Sequence, residues 1–166
     1  MKDIMGQYAV GACLRFFYGC KIVAYDQQFY NAKFEEIDVV GVNPSQNTVY
    51  ICEVIVQLDG LKLGPDNRTT LQNLRKRFEK MKYYGEKFFA NFNKQYMFWS
   101  PYVPKGALTD GLSKLHVELS INISFKVNKF FREDIVRLME KARSSTSDYG
   151  EPFLRALQIV YHKREK

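Results

Sequence analysis

At 166 residues, 46% hydrophobic and 15% aromatic, the chain carries too many core-forming side chains to be disordered; it is expected to form one domain, residues 1–166. Its formal net charge of +7 fits a polyanionic partner without requiring one. Three cysteines, Cys13, Cys20 and Cys52, are an odd number with no CxxC spacing, which argues against both a disulfide framework and a zinc site.

The opening Met1-Lys2-Asp3-Ile4 does not read as a signal peptide, and no apolar run is long enough to span a bilayer. A cytoplasmic protein with no membrane partner is therefore expected. Residues Ile4 to Tyr18 read as a helix with Met5, Tyr8, Ala12 and Phe16 on its apolar stripe, stopped by Gly19. Cys20 to Tyr25 reads as a strand, and Asp26 to Lys33 as a connection.

The stretch Phe34 to Gln57 then reads as two antiparallel strands around the turn Asn43-Pro44-Ser45-Gln46-Asn47. With a period of two, Glu36 and Asp38 share one face of the first strand. Ile51, Glu53, Ile55 and Gln57 share one face of the second, so the hairpin can bring Glu36, Asp38 and Glu53 together. Acids set among β-branched and aromatic residues are costly to bury unless neutralised. A hard cation such as Mg²⁺ would do that; so would nearby lysines, or a solvated sheet face would spare the cost.

After a loop from Leu58 to Arg68, Thr69 or Thr70 can cap the clearest helix, whose Leu71, Leu74, Phe78, Met81, Phe88 and Phe92 recur at helical steps with Gly85 in the missing place. Its other faces carry Arg75, Lys76, Arg77, Lys80, Lys82 and Lys87 against Glu79 and Glu86. Such a bias serves either solubility or phosphate contact. Tyr96 to Trp99 reads as a short strand, closed by the loop Ser100 to Pro104. Trp99 and Tyr102 read as packing residues before stacking platforms. Leu115 to Val127 alternates as a strand, with Val117, Leu119, Ile121, Ile123 and Phe125 on one face. Lys129 to Arg143 and a segment from Pro152 to about His162 read as helices on either side of a serine-rich linker. The two histidines, His116 and His162, stand far apart and read as structural.

The order helix, three strands, helix, strand resembles the restriction-endonuclease-like superfamily, PD-(D/E)XK, and the motif is similar to that of small Holliday-junction-resolvase-like bacterial proteins. Glu35-Glu36-Ile37-Asp38-Val39-Val40 stands where those relatives carry Gly-Glu-Ile-Asp, and Glu53-Val54-Ile55 where they carry Glu-Val-Lys. The resemblance covers about residues 4–100, with 101–166 as an extension. It implies an α/β fold with an αβββαβ core, a mixed central sheet and an extra C-terminal strand and helices. It also implies Mg²⁺ or Mn²⁺ on Asp38 and Glu53, with the backbone carbonyl of Val54 helping; Glu36, on the same strand face as Asp38, is a candidate to bind the ion directly or through one of its waters.

The departure is Ile55, which replaces the lysine that positions or activates water; Gln7 likewise stands in place of a glutamate in the first helix. Gln57 can orient water by hydrogen bonding, or a lysine can arrive from Lys62, Lys76 or Lys80. The resemblance therefore implies a Mg²⁺-dependent DNA endonuclease with Asp38 and Glu53 as catalytic residues; Gln57 is the further catalytic candidate by its strand face, and the charge bias makes Lys62, Arg75, Lys76, Lys80 and Lys82 the candidates to hold DNA. The alternative is a catalytically inactive nuclease-fold protein that binds DNA or serves as a subunit of a larger complex. A homodimer would suit cleavage of two strands.

Overall fold

The computed structural model describes residues 4–162. Five strands form one mixed sheet in the order β1-β2-β3-β4-β5. They are β1 (Ile22–Asn31), β2 (Lys33–Asn43), β3 (Thr48–Val54), β4 (Asn93–Ser100) and β5 (Ile123–Val127). The first three run antiparallel to their neighbours; β3, β4 and β5 are parallel. Helices α2 (Asn67–Phe88) and α3 (Ala107–Glu118) are the long crossovers that parallel strands require. The remaining helices are α1 (Ile4–Phe17), α4 (Lys129–Ser144) and α5 (Pro152–Tyr161). No helix among the described residues is long and apolar enough to cross a membrane.

Two hydrophobic clusters lie on the two faces of the sheet. Leu74, Phe78 and Met81 of α2 and Leu108, Leu112 and Leu115 of α3 cover one face, against Ile51 and Phe98. Val10, Cys13 and Leu14 of α1, with Phe131 and Leu138 of α4 and Leu154 of α5, cover the other, against Cys52 and Trp99. All three cysteines are buried and free. Trp99 is core, as its sequence context suggests. His162 lays Nε2 2.9 Å from the Ala142 carbonyl, and His116 stacks on Phe125.

Several elements depart from the sequence expectation. The stretch from Leu115 is not a strand: the chain is helical from Ala107 to Glu118, and only Ile123–Val127 joins the sheet. The alternation of Leu115, Val117, Leu119 and Ile121 is incidental. The buried set is Leu108, Leu112 and Leu115 at steps of four and three, while Val117 is 67% exposed. A left-handed Ser120 (φ 51) then turns the chain into β5. Strand β1 runs on through Asp26 to Asn31, meeting β2 across Ala32 (φ 57) in a tight hairpin. As an edge strand it tolerates the polar Asp26-Gln27-Gln28 that looked like a connection. In α1 the buried face is Gln7, Val10, Gly11 and Leu14 with their neighbours, and the predicted stripe residue Met5 is exposed. Helix α2 starts three to four residues earlier than expected because Asp66, not a threonine, caps it, its side chain accepting the Thr69 N–H at 2.7 Å. It ends at Phe88, short of Phe92, and β3 ends at Val54, short of Gln57.

Candidate functional site

The β1–β2 ribbon rolls over where the site lies. In a regular strand, residues two apart share a face. Yet Ile37 packs on the α2 side of the sheet and Val39 on the α1 side, and on the neighbouring strand Phe29 (facing Glu35) and Tyr25 (facing Val39) divide in the same way. Asp26, with φ 50, sits between those pairs. Asp38 is thus the residue about which β2 turns over. The β2–β3 ladder is regular from Asn43↔Thr48 to Val39↔Cys52 and ends there, just before Asp38 and Glu53.

Where the ladder ends, the Asp38 side chain replaces the missing backbone partner. Its Oδ2 accepts the Val54 N–H at 2.7 Å. Its Oδ1 lies 3.5 Å from Nε2 of Gln7, a buried α1 side chain that also donates to Asp26 Oδ1 at 3.1 Å. Burial first, and the charge of Glu53 second, push the Asp38 carboxyl up to about 7, against the opposing pull of the Val54 N–H, Lys80 and Arg77. Two carboxylates sharing one desolvated site is the arrangement that makes ionisation of both unfavourable.

Glu53 is fully buried on the α2 side of β3. Arg77 of α2 hydrogen-bonds its Oε1. Lys80, one helical turn on, places Nζ 3.1 Å from Oε2. That is a charge contact, and among the described residues Oε2 has no hydrogen-bond partner. The Ile55 side chain is buried in the core beneath α2.

Asp38, Arg77 and Lys80 open into a cleft of about 960 Å³, also lined by Gln7, Glu36, Gln57 and Lys76, with Lys33 and Phe34 at the hairpin end; Glu53, fully buried, is not part of its lining. Glu36 is half-buried on the same wall as Asp38. Gln57 lies beyond the end of β3, where both ends of its amide clamp the backbone of Lys62: Oε1 accepts the Lys62 N–H at 2.7 Å and Nε2 donates to its carbonyl at 3.1 Å. Of the predicted phosphate-binding residues, Lys76 and Lys80 line the cleft. Arg75 and Lys82 turn towards α3 instead, Arg75 pairing with Glu79 and Glu118 and Lys82 donating to the Leu119 carbonyl. Arg77, not singled out from the sequence as a site residue, is at the centre. Its i, i+3 spacing to Lys80 on α2 was the available signal.

Among the described residues, no group of three or more His, Cys, Asp or Glu side chains could hold a metal ion. Two carboxylates suffice for Mg²⁺, which keeps several waters and uses one or two protein acids. Asp38 and Glu53 supply hard oxygens, one of them the Oε2 that has a charge contact with Lys80 but no hydrogen bond, and fit that ion better than a softer one.

No family model matches the chain, and no curated protein matches it either. A crystal structure described as a protein of unknown function, AF1548, is similar in fold. It superposes with a TM-score of 0.52 at 15% sequence identity, over 98% of this chain and 100% of that one. What fold and site define together is an α/β protein with a mixed five-stranded sheet and a carboxylate–cation cleft at the parting of β2 and β3.

Proposed function

We propose that the chain is a Mg²⁺-dependent DNA endonuclease of the restriction-endonuclease-like kind, in which Lys80 of α2 does the work of the lysine that Ile55 replaces. The observation that carries this reading is the position of Lys80 Nζ, 3.1 Å from Glu53 Oε2 in the same cleft as Asp38. Asp38 and Glu53, with the Val54 carbonyl, would hold the ion, and Glu36, which lines the same cleft, would bind one of its waters. When bound, the ion lowers the pKa of a coordinated water and offsets charge on the phosphate.

The residues divide the remaining tasks. Lys80 orients the attacking water and stabilises the charge that builds on the phosphoryl oxygens. Lys76 and Arg77 hold the DNA backbone through charge, without reading sequence. The water gives one proton to solvent as its oxygen forms the new bond to phosphorus, the bond to the leaving sugar oxygen breaks, and the departing oxygen takes a proton from solvent. Gln57 contributes by fixing the Leu58–Lys62 loop at the mouth of the cleft.

A second reading has its own observation: Arg77 and Lys80 already neutralise Glu53 with no metal, as in a protein of this shape that binds DNA without cutting it. Incubation of plasmid and branched DNA with Mg²⁺ or Mn²⁺ separates the two. The endonuclease predicts metal-dependent nicking that Asp38→Ala and Glu53→Ala both abolish. DNA binding with no nicking in either metal would establish the non-cleaving protein instead.

A further inference from the structure

The β1–β2 hairpin ends in an aromatic pair that the fold leaves bare. Phe34 is 81% exposed and Tyr30 61% exposed. Their rings meet edge to face at 5.6 Å. Between them lie the turn residue Ala32 and Lys33, whose side chain is 77% exposed and 3.8 Å from Glu35. The tip is nonetheless held firmly. Asn31 pairs with Lys33 in the ladder. Phe29, buried just before the tip, packs on Tyr84 at 5.0 Å and Phe88 at 6.0 Å of α2. Lys87 Nζ sits 3.5 Å from the Tyr30 carbonyl.

An exposed aromatic at a loop tip is by itself unremarkable. This one lines the cleft: Lys33 and Phe34 stand in the same wall-to-wall space as Asp38, Lys76, Arg77 and Lys80. A flat apolar ring beside a row of cations is the pairing by which proteins hold single-stranded nucleic acid, the ring taking a base and the cations the backbone. In a duplex, both faces of every base are covered by its neighbours. Only an unpaired base offers a free face to a ring fixed at the side of a backbone-binding cleft.

We propose that the Tyr30–Phe34 tip stacks an unpaired nucleobase, so that the cleft acts on DNA carrying an unpaired stretch (a gap, flap or branch) beside the phosphate it holds. This rests on the reading of the cleft as a DNA site. Phe34 supplies the stacking face, Tyr30 props it from behind, and Lys33 contacts the adjoining phosphate.

The test is binding of two fluorescein-labelled oligonucleotides of equal length, one fully duplex and one with a short central gap, measured by anisotropy in EDTA so that nothing is cut. The parent is expected to prefer the gapped DNA by about tenfold, the scale of one stacked base. Phe34→Ala should bring the ratio to within twofold, and Phe34→Trp should retain it. A parent that binds both forms equally, or a Phe34→Ala variant that keeps the full preference, would overturn the role of the tip while leaving the DNA site standing. Failure of the parent to bind either form would overturn both. Circular dichroism of the variants confirms that the exposed substitutions leave the fold intact.

Discussion

Asp38 concentrates the chemistry of the site in one side chain. Its carboxyl closes the end of the β2–β3 ladder through the Val54 N–H, and burial beside Glu53 raises its pKa from the usual 3.8 to about 7. The native state therefore holds a proton that the unfolded chain releases between about pH 4 and 7, and stability from this group falls as pH rises through that window. Asn at position 38 keeps the shape and an acceptor for Val54 but cannot ionise. In urea titrations with EDTA present, Asp38→Asn should gain on the parent by about 2–3 kcal/mol between pH 5 and pH 8. A difference independent of pH would show that Asp38 ionises normally.

Residues of this kind were only partly legible. Asp38 and Glu53 stand out in the sequence because acids rarely interrupt a run such as Val49-Tyr50-Ile51-Cys52. That Asp38 reaches Glu53 through a rolled-over ribbon was not legible. Strict alternation describes a flat strand, and the roll depends on Asp26 taking a left-handed conformation nineteen residues from Gln7. Arg77 was hidden in a run of cations, where sequence alone does not say which points inward.

At the scale of elements, α2 does most to place the site. The empty position in its apolar stripe, Gly85, lies tight against the sheet residues Ile51 and Tyr96. A Cβ there would fall 2.6 Å from the Tyr96 hydroxyl and 2.8 Å from Ile51 Cδ1. Gly85→Ala is therefore expected to destabilise by about 1–3 kcal/mol in spite of the better helix propensity of alanine. Denaturant unfolding checks it, and a stabilised variant would mean that α2 can lift off the sheet without cost. At the other end of α2, Asp66→Ala removes the cap on the Thr69 N–H, which denaturant unfolding should register as a lower midpoint. Helix α2 was easy to read because its period is sustained over 22 residues. Helix α3, with 12, was not: Gly106 and Gly111 weaken the helical signal, and the tail of α3 runs into β5 with an accidental period of two.

For the whole molecule, the layered fold sorts the positive charge. Arg75 and Lys82 are held on the α3 side by Glu118 and the Leu119 carbonyl, while Lys76, Arg77 and Lys80 face the cleft. The net charge of +7 was visible in the sequence; its division between a cleft wall and a structural one follows from which helix packs beside α2. Salt titration of DNA affinity reads this division. Lys76→Ala should flatten the slope of log affinity against log salt by about 0.9, the effect of one lost phosphate contact, and Arg75→Ala should leave it unchanged. Equal effects would place the DNA along the outer faces of α2 instead of in the cleft.

The most direct test of the account is the single-turnover rate of Mg²⁺-dependent DNA cleavage by Lys80→Ala. Arg77 still neutralises Glu53 in this variant, so the fold should persist and DNA affinity should change little. The account predicts a rate at least about 100-fold below the parent, the scale on which one preorganised charge acts on a transition state. A rate equal to that of the parent, with Asp38→Ala inactive beside it, would contradict the assignment of Lys80 as the missing lysine.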